Sequence, residues 1–185
     1  MKILLGREEV NPDEPDIYGK MLVIYAAWLG REGVVKMLLR GGEVDPDIQD
    51  NYGKTPFSCA AWYGDEGVVK ILLRREEVDP GRADYRGRTA LSYASWNGRE
   101  RVVKIVLGQE QVSPDEPDCR GPKALLCATL SGHAGVVKTL LGQEDVNPDK
   151  PDNASLTPLS YAAQNGHNRV IALLQSHKAA APSTA

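Results

Sequence analysis

Phenylalanine is nearly absent from this chain. Phe57 is the single Phe, and the remaining aromatics are three Trp and seven Tyr. A conventional core draws more on Phe, so rings with polar tips point to work at the surface. Cysteine is also scarce. Cys59, Cys119 and Cys127 are odd in number and form no CxxC pair. That argues against a disulfide framework and a zinc site, and it fits a reducing compartment, read here as the cytoplasm. No apolar run approaches the ~20 residues of a bilayer span. Met1 to Leu5 is cut off by Gly6-Arg7-Glu8-Glu9 and is too short for a signal peptide. Net positive charge is lacking too: 22 Lys and Arg against 25 Asp and Glu give −3 over 185 residues. That balance does not suit nucleic acid or an anionic membrane.

What the chain does have is a period. Asp16, Asp50, Asp84, Asp118 and Asp152 are 34 residues apart. Gly30, Gly64, Gly98, Gly132 and Gly166 keep the same step, as do Pro12, Pro46, Pro80, Pro114 and Pro148. Gly19, Gly53, Gly87 and Gly121 follow it until Ser155 breaks the series. Val34-Val35-Lys36 recurs at Val68, Val102 and Val136 and decays to Val170-Ile171-Ala172. No gap is needed, so the chain is an array.

The second copy explains one unit. Asp50-Asn51-Tyr52-Gly53 reads as a turn, with Asp and Asn bonding their own backbone and Gly accepting positive φ. Thr55-Pro56 then opens a helix, Thr as N-cap and Pro in the first position. The pattern predicts helix A over Pro56 to Tyr63, stopped at Gly64, and helix B over Glu66 to Arg74. Helices this short are marginal alone and must bury faces against neighbouring copies, which makes a stacked solenoid. Phe57, Ala60 and Ala61 share one face of helix A. Val68, Val69, Ile71 and Leu72 cover a wide arc of helix B, leaving Lys36, Lys70, Lys104 and Lys138 as a solvated row.

Gly53-Lys54-Thr55-Pro56-Phe57-Ser58, Ala60-Ala61, Gly64 and Val68 to Leu73 resemble the ankyrin repeat. The resemblance covers Asp16 to about Gln175, nearly the whole chain. It implies an all-α solenoid of helix-turn-helix units joined by short hairpins and turns. The repeats would span 16–49, 50–83, 84–117, 118–151 and 152–178, after a partial repeat at 1–15 and before a disordered tail at 179–185. The unit is 34 residues long where the family usually has 33, the change lying in a Val-Asn-Pro-Asp hairpin (Val10 to Asp13, Val146 to Asp149). Long arrays in this style are similar to the C-terminal sensor regions of fungal NLR-like signalling ATPases. Ser58, Ser92 and Ser160 stand where the family carries His. Met21-Leu22 and Lys123-Ala124 replace Thr-Pro, so the first and fourth copies should lose a helix cap worth ~1 kcal/mol.

Catalytic constellations are not found. The acidic residues recur with the repeat, as caps and turn residues do. His133 and His167 are equivalent, and the family reading makes them ties between adjacent turns. Cys59 and Cys127 lie two copies apart, roughly 20 Å at the usual helix spacing, too far for a shared metal. No Walker frame is present. The reading is therefore a non-enzyme with no cofactor and no metal.

Binding is better supported. Trp28, Trp62 and Trp96 are 34 apart and form a column on successive A helices. Trp62 lies about 140° round from Phe57 on the helical wheel. In ankyrin proteins this position, with the turn positions after Asp, faces the concave groove. Carried over, the groove comprises Tyr18, Lys20, Trp28, Leu29, Tyr52, Lys54, Trp62, Tyr63, Arg86, Arg88, Trp96, Asn97 and Arg120. Trp, Tyr and Arg together match hot-spot composition; the alternative is that each Trp merely shields neighbouring helices. Residues 81–105 carry six basic side chains against Asp84 and Glu100, so an acidic flank on the partner is expected. The expected function is recognition of a protein or peptide on the concave face, within a larger receptor-like protein. Self-assembly through an open N-terminal end is the alternative. Neither nucleic acid nor membrane is an expected partner.

Overall fold

The computed structural model describes residues 14–115, 117, 118, 121, 122 and 124–180. Helix pairs recur with the sequence period. The first copy holds α1 (Leu22–Trp28) and α2 (Glu32–Leu38), the second α3 (Pro56–Tyr63) and α4 (Glu66–Leu72), the third α5 (Ala90–Trp96) and α6 (Glu100–Leu107). A two-residue antiparallel ladder, β1 (Pro117–Asp118) with β2 (Gly121–Pro122), precedes α7 (Ala124–Leu130) and α8 (Ala134–Leu141). The last copy holds α9 (Pro158–Gln164) and α10 (Asn168–Ala180). Each first helix packs on the first helices of adjacent copies, each second helix on the second ones. The expected partial repeat at 1–15 lies outside the described residues except for Glu14 and Pro15.

Local chemistry sets the helix ends. Thr55 Oγ1 accepts the Ser58 N–H at 3.1 Å, and Ser58 Oγ accepts the Thr55 N–H at 3.0 Å. Ser58, where the family usually has His, thus completes a reciprocal capping box. Helix α3 ends at Gly64 with φ 83°, a left-handed cap no β-carbon favours. In the first copy Met21 caps nothing with its side chain, as Met21-Leu22 led us to expect. The corresponding start of α7 falls at Lys123, outside the described residues.

Two expectations are corrected. Helix α4 stops at Leu72, not Arg74. The Arg75 N–H closes a turn on Leu72 O, and the Arg75 guanidinium donates to Leu39 O of the previous copy at 2.7 Å, drawing the chain into the hairpin. At the other end, Ala179 and Ala180, expected in a disordered tail, belong to α10. Ala is the best helix former, and Lys178 sits in the last turn where the helix dipole favours a cation. Residues 181–185 lie outside the described residues.

The core runs continuously through the array. Phe57, Ala60, Ala61, Val68, Val69, Ile71 and Leu72 are all buried in the second copy, and most of their equivalents continue the core in the copies on both sides, Met37 in the first being exposed. Lys36, Lys70, Lys104 and Lys138 are exposed, and the first three pair with Glu32, Glu66 and Glu100 one helical turn earlier.

Polar bonds between copies keep one register. The N–H groups of Asn51 and Tyr85 donate to Tyr18 O and Tyr52 O, each in the preceding turn. Hairpins are joined by Arg82 to Asp47 at 2.7 Å and by Lys150 to Asp115 at 2.6 Å. Just after each first helix, a side chain reaches back to the previous copy. Arg99 Nε donates to Trp62 O, His133 Nε2 to Trp96 O and His167 Nε2 to Leu130 O. A carbonyl only accepts, so each histidine carries its proton on Nε2. The expectation that His133 and His167 tie adjacent turns together therefore holds. The equivalent residue in the second copy is Asp65, which instead accepts the Val68 N–H of its own helix.

Candidate functional site

The aspartate that opens each turn organises the face carrying the expected binding residues. Its Oδ1 accepts two backbone N–H groups: Tyr18 and Lys20 in the first copy, Tyr52 and Lys54 in the second, Arg86 and Arg88 in the third. This fixes the turn tip, so the side chains at Tyr18, Tyr52 and Arg86 project outward and all three are exposed. Gly53 completes the turn at φ 79°, and a β-carbon there would collide with the Tyr85 backbone.

The cations after the tip fold back on the tryptophans. Lys20 Nζ lies 4.5 Å above the Trp28 ring, and Lys54 Nζ lies 5.3 Å from Trp62 and 5.2 Å from Tyr93. Trp28 also packs on Tyr63 of the next copy at 6.0 Å, and Trp62 meets Tyr93 edge-on at 5.0 Å. Trp28 and Trp62 are half-buried, whereas Trp96 is 46% exposed. The first two rings therefore both pack on their neighbours and present an open side. Tyr63 and Leu29 are exposed beside them. Between the first and third copies these rings enclose a cleft of about 160 Å³, lined among others by Lys20, Trp28, Lys54, Cys59, Trp62 and Tyr93.

The third copy differs from expectation. Arg88 is half-buried and turns inward, donating through Nε and Nη2 to Asp84 Oδ2 at 2.9 and 2.8 Å. Arg82 is held by Asp47, Arg101 by Glu66 and Lys104 by Glu100. Asp47 and Glu66, each from the copy before its partner's, thus offset two of the four excess positive charges at 81–105, and Arg86 is the exposed cation of the turn tip. Asn97 donates to Tyr93 O at the end of α5 and so serves that helix. Arg120 lies outside the described residues.

Sequence reasoning missed two kinds of residue on this face. Ile17 and Tyr85 are 86% and 70% exposed at the position directly after the turn aspartate. Their signal was an apolar residue in a polar turn. Also missed was the tyrosine nine residues after the turn aspartate. Tyr25 donates to Asp16, Tyr93 to Asp84 and Tyr161 to Asp152, always to Oδ2. In the third copy burial pushes the Asp84 carboxyl up, but the bonds from Tyr93, Arg88 and Arg86 outweigh it, so its pKa lies below the usual carboxylate value. Burial and the neighbouring Asp84 carboxylate hold the Tyr93 phenol protonated. Asp47, buried in the hairpin, goes the other way: burial raises it despite the Arg82 guanidinium.

Burial pushes the Cys59 thiol up to about 11, so it is not a thiolate nucleophile at neutral pH. Cys59 and Cys127 form no disulfide. Among the described residues, His, Cys, Asp and Glu form no group suited to a metal ion, and no helix is long and apolar enough to cross a membrane.

No curated protein matches the chain. A family model described as ankyrin repeats, three copies long, matches residues 23–118 and again 110–184. Together those matches take in nearly every helix pair, and the capped, stacked pairs above are what they describe: the chain belongs to the ankyrin-repeat family.

Proposed function

We propose that this protein recognises another protein through the face formed by the turn tips and the first helices. Ankyrin repeats are generally protein–protein interaction modules and typically non-catalytic scaffolds. The observation that carries the reading is the set of rings at Tyr18, Trp28, Tyr52, Trp62, Tyr63 and Trp96. Each is exposed or only half-buried on one face, with Lys20 and Lys54 held over the indoles. Aromatic anchors ringed by polar groups are what an interface core needs. A specific interface covers ~800 Å² per partner, which three or four copies can supply. The groove is the concave side of the array, as in other ankyrin proteins. Its partner is an extended or helical segment with apolar anchors. The Val-Asn-Pro-Asp motifs support a sensor role within a larger receptor-like protein, and the sparse cysteines, with Cys59 and Cys127 unbridged, support a cytoplasmic setting.

Affinity capture from cell extract with the intact chain tests the reading when run beside two variants. Trp62→Ala should lose the captured protein, and Lys70→Ala, on the outer row, should keep it. Retention by Trp62→Ala, or equal loss by both, would overturn it.

A further inference from the structure

We propose that the second copy contains a socket for a tyrosine side chain of the protein partner. This deepens the recognition reading above and rests on it. In the first, third and fifth copies the turn aspartate is fully used: Oδ1 takes backbone N–H groups and Oδ2 takes the phenol nine residues later. In the second copy Asp50 Oδ1 is used in the same way, bonding the Tyr52 and Lys54 N–H groups, each at 2.9 Å. Nine residues later stands Cys59. Its side chain is too short to replace the phenol, and Asp50 Oδ2 is left buried with no hydrogen-bond partner. Asp50 itself is only 2% exposed.

The shared use of Oδ1 fixes which way the other oxygen faces. In the first, third and fifth copies Oδ2 points at the tyrosine of the first helix, so in the second it points at the position of Cys59. The cleft of about 160 Å³ lies there, bounded by Trp28, Trp62 and Tyr93. A cavity of roughly 150 Å³ holds one benzene ring. The space is thus of phenol size and opens on the recognition face; Asp50 does not itself line it, so the incoming hydroxyl reaches Oδ2 by displacing the lining side chains of Cys59 and Lys54.

Charge selects the occupant. Lys20 and Lys54, whose ammonium groups sit over the bounding rings, disfavour an incoming cation. Asp50 disfavours a carboxylate or phosphate. A neutral aromatic ring carrying an O–H donor satisfies both, and it is the group the fold itself uses at this position in three other copies. The Cys59 thiol, kept neutral by burial, adds no charge against it.

The test follows the indole N–H signals of Trp28 and Trp62 by NMR in the full chain, with Trp96 as internal control. N-acetyl-tyrosinamide should shift the first two saturably, and N-acetyl-phenylalaninamide should bind about tenfold more weakly for want of the donor. Cys59→Tyr, which fills the socket from within, should abolish the response and raise Tm, whereas Cys59→Ser should keep the response. No saturable shift, equal binding of the two amides, or full binding by Cys59→Tyr would each overturn the proposal. So would binding of p-cresol with exclusion of N-acetyl-tyrosinamide, which would make this a small-molecule site. The amide comparison needs no variant. Loss of the socket with Trp62-dependent capture intact removes this inference alone; loss of both removes the recognition reading as well.

Discussion

The first and second copies place the same helices in the same register and build them differently. In the second, Thr55 and Ser58 cap α3 reciprocally and Pro56 presets its first turn, while every residue from Pro56 to Ala61 is buried. In the first, Met21 offers α1 no side-chain acceptor, and burial is confined to Val23, Ile24, Ala26 and Ala27. The second helices differ in the same way, with Val35 and Leu38 buried in the first copy where Val68, Val69, Ile71 and Leu72 are buried in the second. A shared period therefore guarantees a shared core but not equal copies. The start of each short first helix is decided by two or three local residues.

Truncating the shared core is the largest way to test this. Leu72→Ala should cost ~2–5 kcal/mol. Leu38→Ala should cost less, because Leu38 is 6% exposed where Leu72 is 0%. Denaturant melts of the two variants check the order, and equal costs would show that the copies do not differ in the core. Thr55→Ala comes next, at about 1 kcal/mol for the lost cap. Met21→Ala should cost nothing through capping, and Met21→Thr should recover part of that ~1 kcal/mol for the first copy.

A pH series sharpens the comparison between turns. A carboxylate with a depressed pKa stabilises the fold above its unfolded value of about 3.9 and loses that contribution as pH falls through its folded value. Both Asp16 and Asp84 are depressed: Asp16 chiefly by the Tyr25 hydroxyl, Asp84 by the bonds that outweigh its burial. The stability gap between wild type and Tyr93→Phe should thus be open at pH 7 and close below about pH 4. Tyr25→Phe should do the same by a smaller amount, since Asp16 is not deeply buried. A gap that ignores pH would detach the tyrosines from their aspartates. The smallest effects belong to the outer row: Lys36→Ala and Lys70→Ala should each change stability by about 0.5 kcal/mol or less.

Much of this was legible because each signal is local. The Thr-Pro start, the glycine stop and the valine arc act within a few residues, so α3 runs over the predicted span. Ala26 and Ala27 repeat Ala60 and Ala61 because close helix contact demands small residues in every copy. The misses are relations across a copy or between copies. Tyr25, Tyr93 and Tyr161 look like core or surface aromatics until the turn folds back and places an aspartate beneath them. The basic stretch at 81–105 reads as four excess charges until Asp47 and Glu66 of earlier copies pair with Arg82 and Arg101 and halve the excess. The groove residues divide in the same way. Exposure at Tyr18, Tyr52 and Trp96 follows from register, whereas the inward turn of Arg88 follows from a carboxylate that sequence spacing does not show.

The series of side chains reaching back to the previous carbonyl has a mechanical meaning. Arg99, His133 and His167 each fasten a copy to the one before it, and Asp65 is the one member that cannot, because a carboxylate has nothing to donate. In an array whose stability is a sum of copies and the interfaces between them, the seam between the first and second copies lacks this stitch at its first-helix end and is held instead by Arg75 on Leu39 O and by the Asn51 N–H on Tyr18 O. Pulled from its two ends in an optical trap, the solenoid should yield there first, because α1 also lacks a side-chain cap, releasing the first copy as a separate step while the copies stitched at their first-helix ends hold together to higher force. Asp65→His should put the stitch in, at the cost of a helix cap, and merge that early step with the rest.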